Sequence, residues 1–161
     1  MQIQLFITGG TFDKEYDLIN GKLYFTNSHV AEILQRGRNT TDVQVTQLMM
    51  MDSLDMGEHE RQQIVNACKN CTQNHIIITH GTDTMVETGK ALLQEGLNKT
   101  IVITGAMIPY TFGSSDGLFN MGSAMAFVQT LPQGVYLAMN GRFYPANAVR
   151  KNKETGYFEA L

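Results

Sequence analysis

Short apolar runs alternate along the chain with longer segments in which apolar residues recur every three or four positions. The apolar runs predict five strands, at residues 2–7, 42–49, 76–79, 101–104 and 134–139. The helical spacing predicts four helices, at about residues 27–36, 58–71, 84–95 and 116–130. Strands that alternate with such helices are typical of βαβ units. We therefore expect one α/β domain over residues 1–161, a three-layer sandwich around a mostly parallel, flavodoxin- or Rossmann-like sheet.

Composition and charge narrow the range of partners. The chain has 161 residues, of which 43% are hydrophobic and 17% charged, as in a globular protein rather than a disordered one. A net charge of −3 without basic clusters argues against nucleic acid or an anionic membrane as a partner. No apolar run approaches the ~18 residues that a membrane span needs. The first residues form an apolar run without a basic signal segment, so we expect a cytoplasmic location.

The two cysteines, Cys68 and Cys71, have the C-x-x-C spacing of some redox and zinc sites. A zinc site would need a second pair of ligands, and His75 is the only imidazole close in sequence. Cys68 also occupies an apolar position of the helix predicted at 58–71. We therefore interpret the cysteines as structural and expect no bound metal.

Three of the predicted strands end in turns rich in glycine and hydroxyl groups. These turns are Thr-Gly-Gly-Thr at 8–11, Thr-His-Gly-Thr-Asp-Thr at 79–84 and Thr-Gly-Ala-Met at 104–107. In an open parallel sheet, ligands bind outside the carboxyl ends of the strands, so the turns are expected to share one edge. Glycine allows a ligand to approach the backbone closely, and a threonine hydroxyl can bind a ligand or act as a nucleophile.

Each turn also has a purely structural interpretation. Gly9 and Gly10 could form a simple turn, and Thr82 or Asp83 could cap the helix that follows. His80 alone is more typical of a packed core histidine than of a catalyst. Because two hydroxyl-bearing turns, one with an adjacent carboxylate, are expected to meet at one edge, we favour a ligand site there.

The motif content excludes several kinds of chemistry. The chain contains neither the G-x-G-x-x-G nor the G-x-x-x-x-G-K-[ST] pattern of phosphate-binding loops, and it has no G-x-S-x-G nucleophile elbow. No two histidines have the spacing of metal ligands. A threonine nucleophile remains. Its hydroxyl needs a base, such as a tyrosine or a lysine held near an aspartate.

Several segments together resemble the bacterial-type L-asparaginase family. Ile-Thr-Gly-Gly-Thr at 7–11 resembles its first signature, and the eleven residues at 78–88 are nearly identical to its second. Residues 102–109 and 115–120 are similar to the segment that follows, and residues 139–151 to the stretch with the family lysine. The resemblance implies the fold of the N-terminal domain of L-asparaginases. It also implies hydrolysis of the side-chain amide of L-asparagine to L-aspartate and ammonia, through an acyl-enzyme and without a cofactor.

The resemblance assigns a role to each matching residue. Thr11 corresponds to the nucleophile that attacks the amide carbon, while Thr82, Asp83 and Lys151 correspond to a second triad of hydroxyl, acid and lysine. Asp83 is also expected to bind the substrate ammonium, and Ser53 the α-carboxylate. Four further residues are expected to contribute to the substrate pocket: Gly10, Asp52, Gly81 and Ala106.

The tyrosine that would assist Thr11 has two candidates. Tyr16 lies five residues after Thr11, as in short-chain members of the family, whereas Tyr24 is nearer the position found in long members. We favour Tyr16. Leu54 and Ile108 replace polar residues that are common in long members, which bears on the choice between asparagine and glutamine.

The length of the chain leaves alternatives open. Long family members carry a second domain, which contributes to the active site of a neighbouring subunit, and this sequence resembles the short-chain members. A homo-oligomer, as a dimer or tetramer, is therefore expected. One alternative function is a non-catalytic module that binds asparagine or aspartate. The other is an amidohydrolase that prefers glutamine.

Overall fold

A six-stranded sheet forms the middle layer of the protein in a computed structural model that describes every residue from Met1 to Leu161. The strands of the chain are β1 (Gln2–Gly9), β2 (Lys14–Asp17), β3 (Lys22–Phe25), β4 (Asp42–Met51), β5 (His75–Thr79), β6 (Thr100–Thr104), β7 (Gly134–Met139), β8 (Arg142–Pro145), β9 (Val149–Lys151) and β10 (Phe158–Ala160). The α-helices are α1 (Val30–Arg36), α2 (Glu58–Asn70), α3 (Met85–Gln94) and α4 (Gly117–Thr130).

The central sheet has the strand order β4-β1-β5-β6-β7-β8. The first five of these strands are parallel to their neighbours, and only β8 is antiparallel to β7. Numbered along the chain, the parallel strands have the order 2-1-3-4-5 of flavodoxin-like folds. The predicted fold class is therefore confirmed, and so are the five predicted strands and four predicted helices.

The two faces of the sheet have separate apolar cores. Ile76 and Ile78 of β5 pack in one core with Ile64 of α2, and the intervening Ile77 packs in the other with Met121 of α4. Successive residues of a strand point to opposite faces, so a strand covered by helices on both sides needs a continuous apolar run. The Ile-Ile-Ile sequence at 76–78 satisfies this requirement.

Strand β8 of the central sheet and two separate β-hairpins were not predicted. Strands β2 and β3 pair in an antiparallel hairpin directly after the first turn, in a segment where the apolar spacing predicts no strand. Strands β9 and β10 form the other hairpin, which the polar composition of residues 150–161 does not predict. Phe158 is buried, and the Tyr144 hydroxyl donates a hydrogen bond of 2.8 Å to its carbonyl oxygen. Apolar spacing does not reveal this hairpin, because β10 has only three residues and Phe158 is the only one of them that is buried.

Cys68 lies in the core formed by α2, as the apolar spacing predicted. It is completely buried, and this burial raises the pKa of its thiol to about 12. Both cysteines are free thiols. None of the helices combines the length and apolar character needed to cross a membrane.

Candidate active site

The turns that follow β1 and β5 touch each other at the carboxyl edge of the sheet. Gly10 has a φ of +82°, and a Cβ added there would lie well inside contact distance of the backbone nitrogen of Gly81. A Cβ added at Gly81 would lie 2.5 Å from the Oγ of Ser53. Glycine at both positions therefore allows three segments of the chain to meet: the first turn, the second turn and the end of β4.

Substitution of Gly10 by alanine is expected to destabilise the protein strongly. The new methyl group meets backbone rather than a flexible side chain, so the two turns must separate at a cost of about 1–3 kcal/mol. Gly96→Ala is a matched control, because Gly96 has a φ of +59° but no atom within 4 Å of an added Cβ. That variant should lose only the backbone term of about 1–2 kcal/mol. Urea unfolding measures both variants, and equal losses would contradict close contact between the turns.

The structure brings Thr82, Asp83 and Lys151 together. The Nζ of Lys151, at the end of β9, donates hydrogen bonds of 2.9 Å to the Oγ1 of Thr82 and 2.7 Å to the Oδ1 of Asp83. The lysine side chain is 14% exposed and the aspartate 49% exposed, so the pair lies at the rim of the site. The Thr82 hydroxyl also contacts the sulfur of Met107, at 3.4 Å. A hydroxyl, a carboxylate and an amine thus meet although up to 69 positions separate them in sequence.

Thr11 follows Gly10 directly and begins a short 3-10 turn at Thr11–Asp13. Its position beside the contact between Gly10 and Gly81 brings it to the same edge of the sheet as Thr82. The two candidate tyrosines lie on the β2–β3 hairpin and are about half exposed. The Tyr16 ring packs edge-on against Phe112, with 6.5 Å between ring centroids. The structure does not join either tyrosine hydroxyl to Thr11, so the choice between them stays a prediction.

Ser53 lies in a short 3-10 turn immediately after β4 and is 1% exposed. Its hydroxyl has no hydrogen-bond partner although it is buried against Gly81. The Thr84 hydroxyl donates a hydrogen bond of 2.8 Å to the Ser53 carbonyl oxygen and so joins this turn to the second one. Buried polar groups are nearly always paired, so the free Ser53 hydroxyl indicates a place where a polar ligand group can bind.

Asp52 precedes Ser53 and is bound on both carboxylate oxygens. Its Oδ1 accepts a hydrogen bond of 3.0 Å from the Leu54 N–H, and its Oδ2 is bonded to the ammonium of Lys14. Partial burial acts to raise the pKa of Asp52, but the bonds from Lys14 and Leu54 outweigh it and the net shift is downward. Asp52 is therefore held as a carboxylate beside the end of β4.

His80 is a buried structural residue, in agreement with its interpretation as a packed core histidine. Its Nδ1 lies 2.8 Å from the Gly81 carbonyl oxygen, and its Nε2 lies 2.8 Å from the Thr88 hydroxyl. A carbonyl can only accept, so Nδ1 carries the proton and Nε2 accepts from Thr88. This neutral ring ties the second turn to α3. Burial lowers its pKa from the ordinary 6.5 to about 4.

The His80 pKa gives the folded protein a pH-dependent stability. Between pH 4 and 6.5 the unfolded chain binds a proton at His80 that the folded chain does not. The contribution of neutral His80 to the free energy of unfolding is therefore fully present above pH 6.5 and is lost as the pH falls towards 4. The shift corresponds to about 3 kcal/mol lost by pH 4. Urea unfolding between pH 4 and 7 measures this loss. The His80→Gln variant should lose that part of the slope whatever its absolute stability, and an unchanged slope would contradict the assignment.

Asp116 and Asn120, to which the sequence alone assigns no role, hold the third turn in place. The Asp116 carboxylate accepts hydrogen bonds of 3.0 Å from the N–H groups of Met107 and Ile108. The Asn120 amide donates 2.9 Å to the carbonyl of Gly105, next to the buried Ala106. Both residues belong to the 115–120 segment that had been matched to the family without any role. The available signal was an aspartate, Asp116, at the N-cap position of the predicted fourth helix.

Comparison with known proteins agrees with this architecture. Residues 2–160 match the family model described as "Asparaginase, N-terminal". The chain belongs to the asparaginase family. L-asparaginase 1 of Escherichia coli K12 is 34% identical over 113 residues, which is 67% of this chain and 33% of that protein. A glutaminase-asparaginase of Acinetobacter glutaminasificans is 38% identical over 94 residues, or 56% of this chain and 28% of that protein.

Solved asparaginases have the same fold as this domain. The crystal structure of L-asparaginase I from Vibrio cholerae superposes with a TM-score of 0.87 at 25% identity and covers 99% of this chain. The superposition covers 51% of the Vibrio chain. The matches therefore cover between 28% and 51% of the length of these relatives, and the matched family model is that of the asparaginase N-terminal domain.

Proposed function

We propose that this asparaginase domain hydrolyses the side-chain amide of L-asparagine to L-aspartate and ammonia. The observation that carries the proposal is the cluster of Thr82, Asp83 and Lys151 beside the turn that presents Thr11. A reactive hydroxyl, a second hydroxyl and an amine paired with a carboxylate are the groups that acyl transfer through a threonine ester needs. The names of the matched relatives support the same reaction class.

The proposed reaction begins with attack by the Thr11 oxygen on the amide carbon. A base removes the Thr11 proton, and we assign this role to the tyrosine of the β2–β3 hairpin, with Tyr16 favoured over Tyr24. Backbone N–H groups of the glycine turns stabilise the oxyanion that forms. The same proton then passes to the departing ammonia, which leaves a β-aspartyl ester on Thr11. Water activated at the Thr82, Asp83 and Lys151 cluster hydrolyses this ester and releases aspartate.

The proposed binding mode matches the charges of a zwitterionic amino acid. Asp83 uses one oxygen for Lys151, and its exposed carboxylate can accept the substrate ammonium with the other. The unpaired Ser53 hydroxyl donates to the α-carboxylate. The backbone at Gly10, Gly81 and Ala106 lines the remaining walls. The sequence-based assignment of Asp52 to the pocket is kept, with its carboxylate bonded to Lys14.

Ammonia release from L-asparagine by the purified protein tests the proposal. Enzyme-coupled detection of ammonia, with aspartate identified by NMR, should show turnover, and parallel assays with L-glutamine give the ratio of kcat/KM values. A higher kcat/KM for glutamine would favour an amidohydrolase of glutaminase preference. Calorimetric binding of asparagine without turnover between pH 6 and 10 would instead identify a non-catalytic binding module and reject the proposal.

Assembly and location are proposed with the activity. A homo-oligomer would cover exposed aromatic residues near the site, such as Phe112 and Phe119, which are 49% and 63% exposed. Analytical ultracentrifugation of the purified chain measures the subunit number. The cytoplasmic location also stays a proposal.

A further inference from the structure

Lys14 is a cation at the rim of the proposed site, and most of its side chain is buried. It begins β2, three residues after Thr11, and its side chain is 16% exposed. Its carbonyl oxygen accepts a hydrogen bond of 3.3 Å from the Thr111 hydroxyl, and its Nζ lies 5.8 Å from the centre of the Phe25 ring. These contacts fix both ends of the lysine, so its ammonium is already positioned when a ligand arrives.

The ammonium of Lys14 donates a hydrogen bond to Asp52, the residue immediately before Ser53, whose own buried hydroxyl has no hydrogen-bond partner. An ammonium has three donors, so Lys14 can hold Asp52 and still donate to a second anion. Asp52 in turn keeps a hydrogen bond from Leu54, which fixes the turn that carries Ser53.

The proposed substrate needs a cation at this position. Its α-carboxylate is a full negative charge, whereas Ser53 offers only a neutral hydroxyl. Lys151 is already bonded to Thr82 and Asp83, and Asp83 is needed for the substrate ammonium. Without a further cation, the pocket would set two carboxylates, Asp52 and Asp83, against a carboxylate ligand. Lys14 neutralises Asp52 on the Ser53 side and leaves further N–H donors for the ligand carboxylate.

We propose that Lys14 binds the α-carboxylate of the substrate together with Ser53 and thereby gives the site a preference for amides that carry a free α-carboxylate. This inference rests on the proposed amidohydrolase function. The β2–β3 hairpin then contributes the Lys14 ammonium to the substrate site, in addition to any role of its tyrosines.

A pair of substrates tests the inference. L-Asparagine and 3-aminopropanamide differ only by the α-carboxylate. Lys14→Met should raise KM for asparagine roughly tenfold or more, since a hydrogen bond to a charged group is lost. The KM for 3-aminopropanamide should stay within about twofold of the wild-type value. Lys22→Met, on the neighbouring strand of the same hairpin and exposed, is the charge-matched control and should leave both substrates unaffected.

The main competing explanation is a purely structural role, in which the bond from Lys14 to Asp52 only holds the hairpin in place. A structural role predicts that Lys14→Met impairs the hydrolysis of both substrates equally and that Asp52→Asn has the same effect. Asparagine at position 52 keeps the oxygen that caps the Leu54 N–H but removes the anion that competes for Lys14. Carboxylate binding therefore predicts a lower KM for asparagine in Asp52→Asn, and equal impairment in both variants would overturn the proposal.

Calorimetry separates this inference from the proposed reaction. Aspartate should bind the wild type and bind Lys14→Met roughly tenfold or more weakly, whether or not the wild type turns over asparagine. Turnover with unchanged aspartate affinity in Lys14→Met would overturn the inference and leave the function intact. A wild type that neither binds aspartate nor hydrolyses asparagine would reject both.

Discussion

Thr11→Ala is expected to abolish asparagine hydrolysis, with kcat at least roughly a thousandfold below the wild-type value. The variant removes the one atom proposed to form the ester, and no water-based route through the same site replaces a positioned nucleophile. Thr11 is only half-buried, so little packing is lost and the fold should survive. Ammonia release under saturating asparagine measures kcat, and thermal unfolding checks the fold.

Two controls make the Thr11 result interpretable. Thr11→Ser keeps a hydroxyl at the same position and should retain far more activity than the alanine variant. Aspartate should still bind Thr11→Ala, because the proposed contacts to its ammonium and carboxylate come from Asp83 and Ser53. Activity of Thr11→Ala within tenfold of the wild type would contradict the assignment and direct attention to the Thr82 hydroxyl.

The fold was predictable because burial on both sides leaves a strong trace in sequence. The isoleucine run at 76–78 and the matching run at 101–103 lie in the two central strands, and no polar residue interrupts them. The hairpins left no such trace, since β2 and β3 lie outside the central sheet and are rich in charged residues. The β9–β10 pair was missed for the same reason. Its one buried aromatic residue, Phe158, has no periodic neighbours.

The site was predictable in its parts and only partly in its contacts. Strand-end turns of a parallel sheet must share an edge, so proximity of Thr11 to Thr82 followed from topology once the strands were recognised. The contact of Lys151 with Thr82 depended on the family resemblance, because nothing local fixes where β9 returns. The ion pair of Lys14 with Asp52 joins a hairpin to the end of β4, and no rule of spacing foresees it.

Replacement of Lys151 by methionine is expected to lower kcat by roughly 10²–10⁴-fold. Methionine keeps much of the length and volume of the lysine stem, but it can neither donate to Thr82 and Asp83 nor exchange a proton with them. The carboxylate of Asp83 is half-exposed, so water can solvate it after the pair is broken and the fold should remain intact. The loss should therefore appear in kcat, measured by ammonia release, rather than in stability.

A second substitution distinguishes proton transfer from charge. Lys151→Arg retains a cation and its bond to Asp83, but arginine stays protonated at accessible pH and cannot serve as a base. If Lys151 exchanges a proton in the reaction, Lys151→Arg should be nearly as impaired as Lys151→Met. Lys153→Met, an exposed charge-matched change two residues away, should match the wild type. Rescue by arginine to within tenfold would assign Lys151 an electrostatic role, holding Asp83 and Thr82 in place, and would contradict the proposed proton transfer.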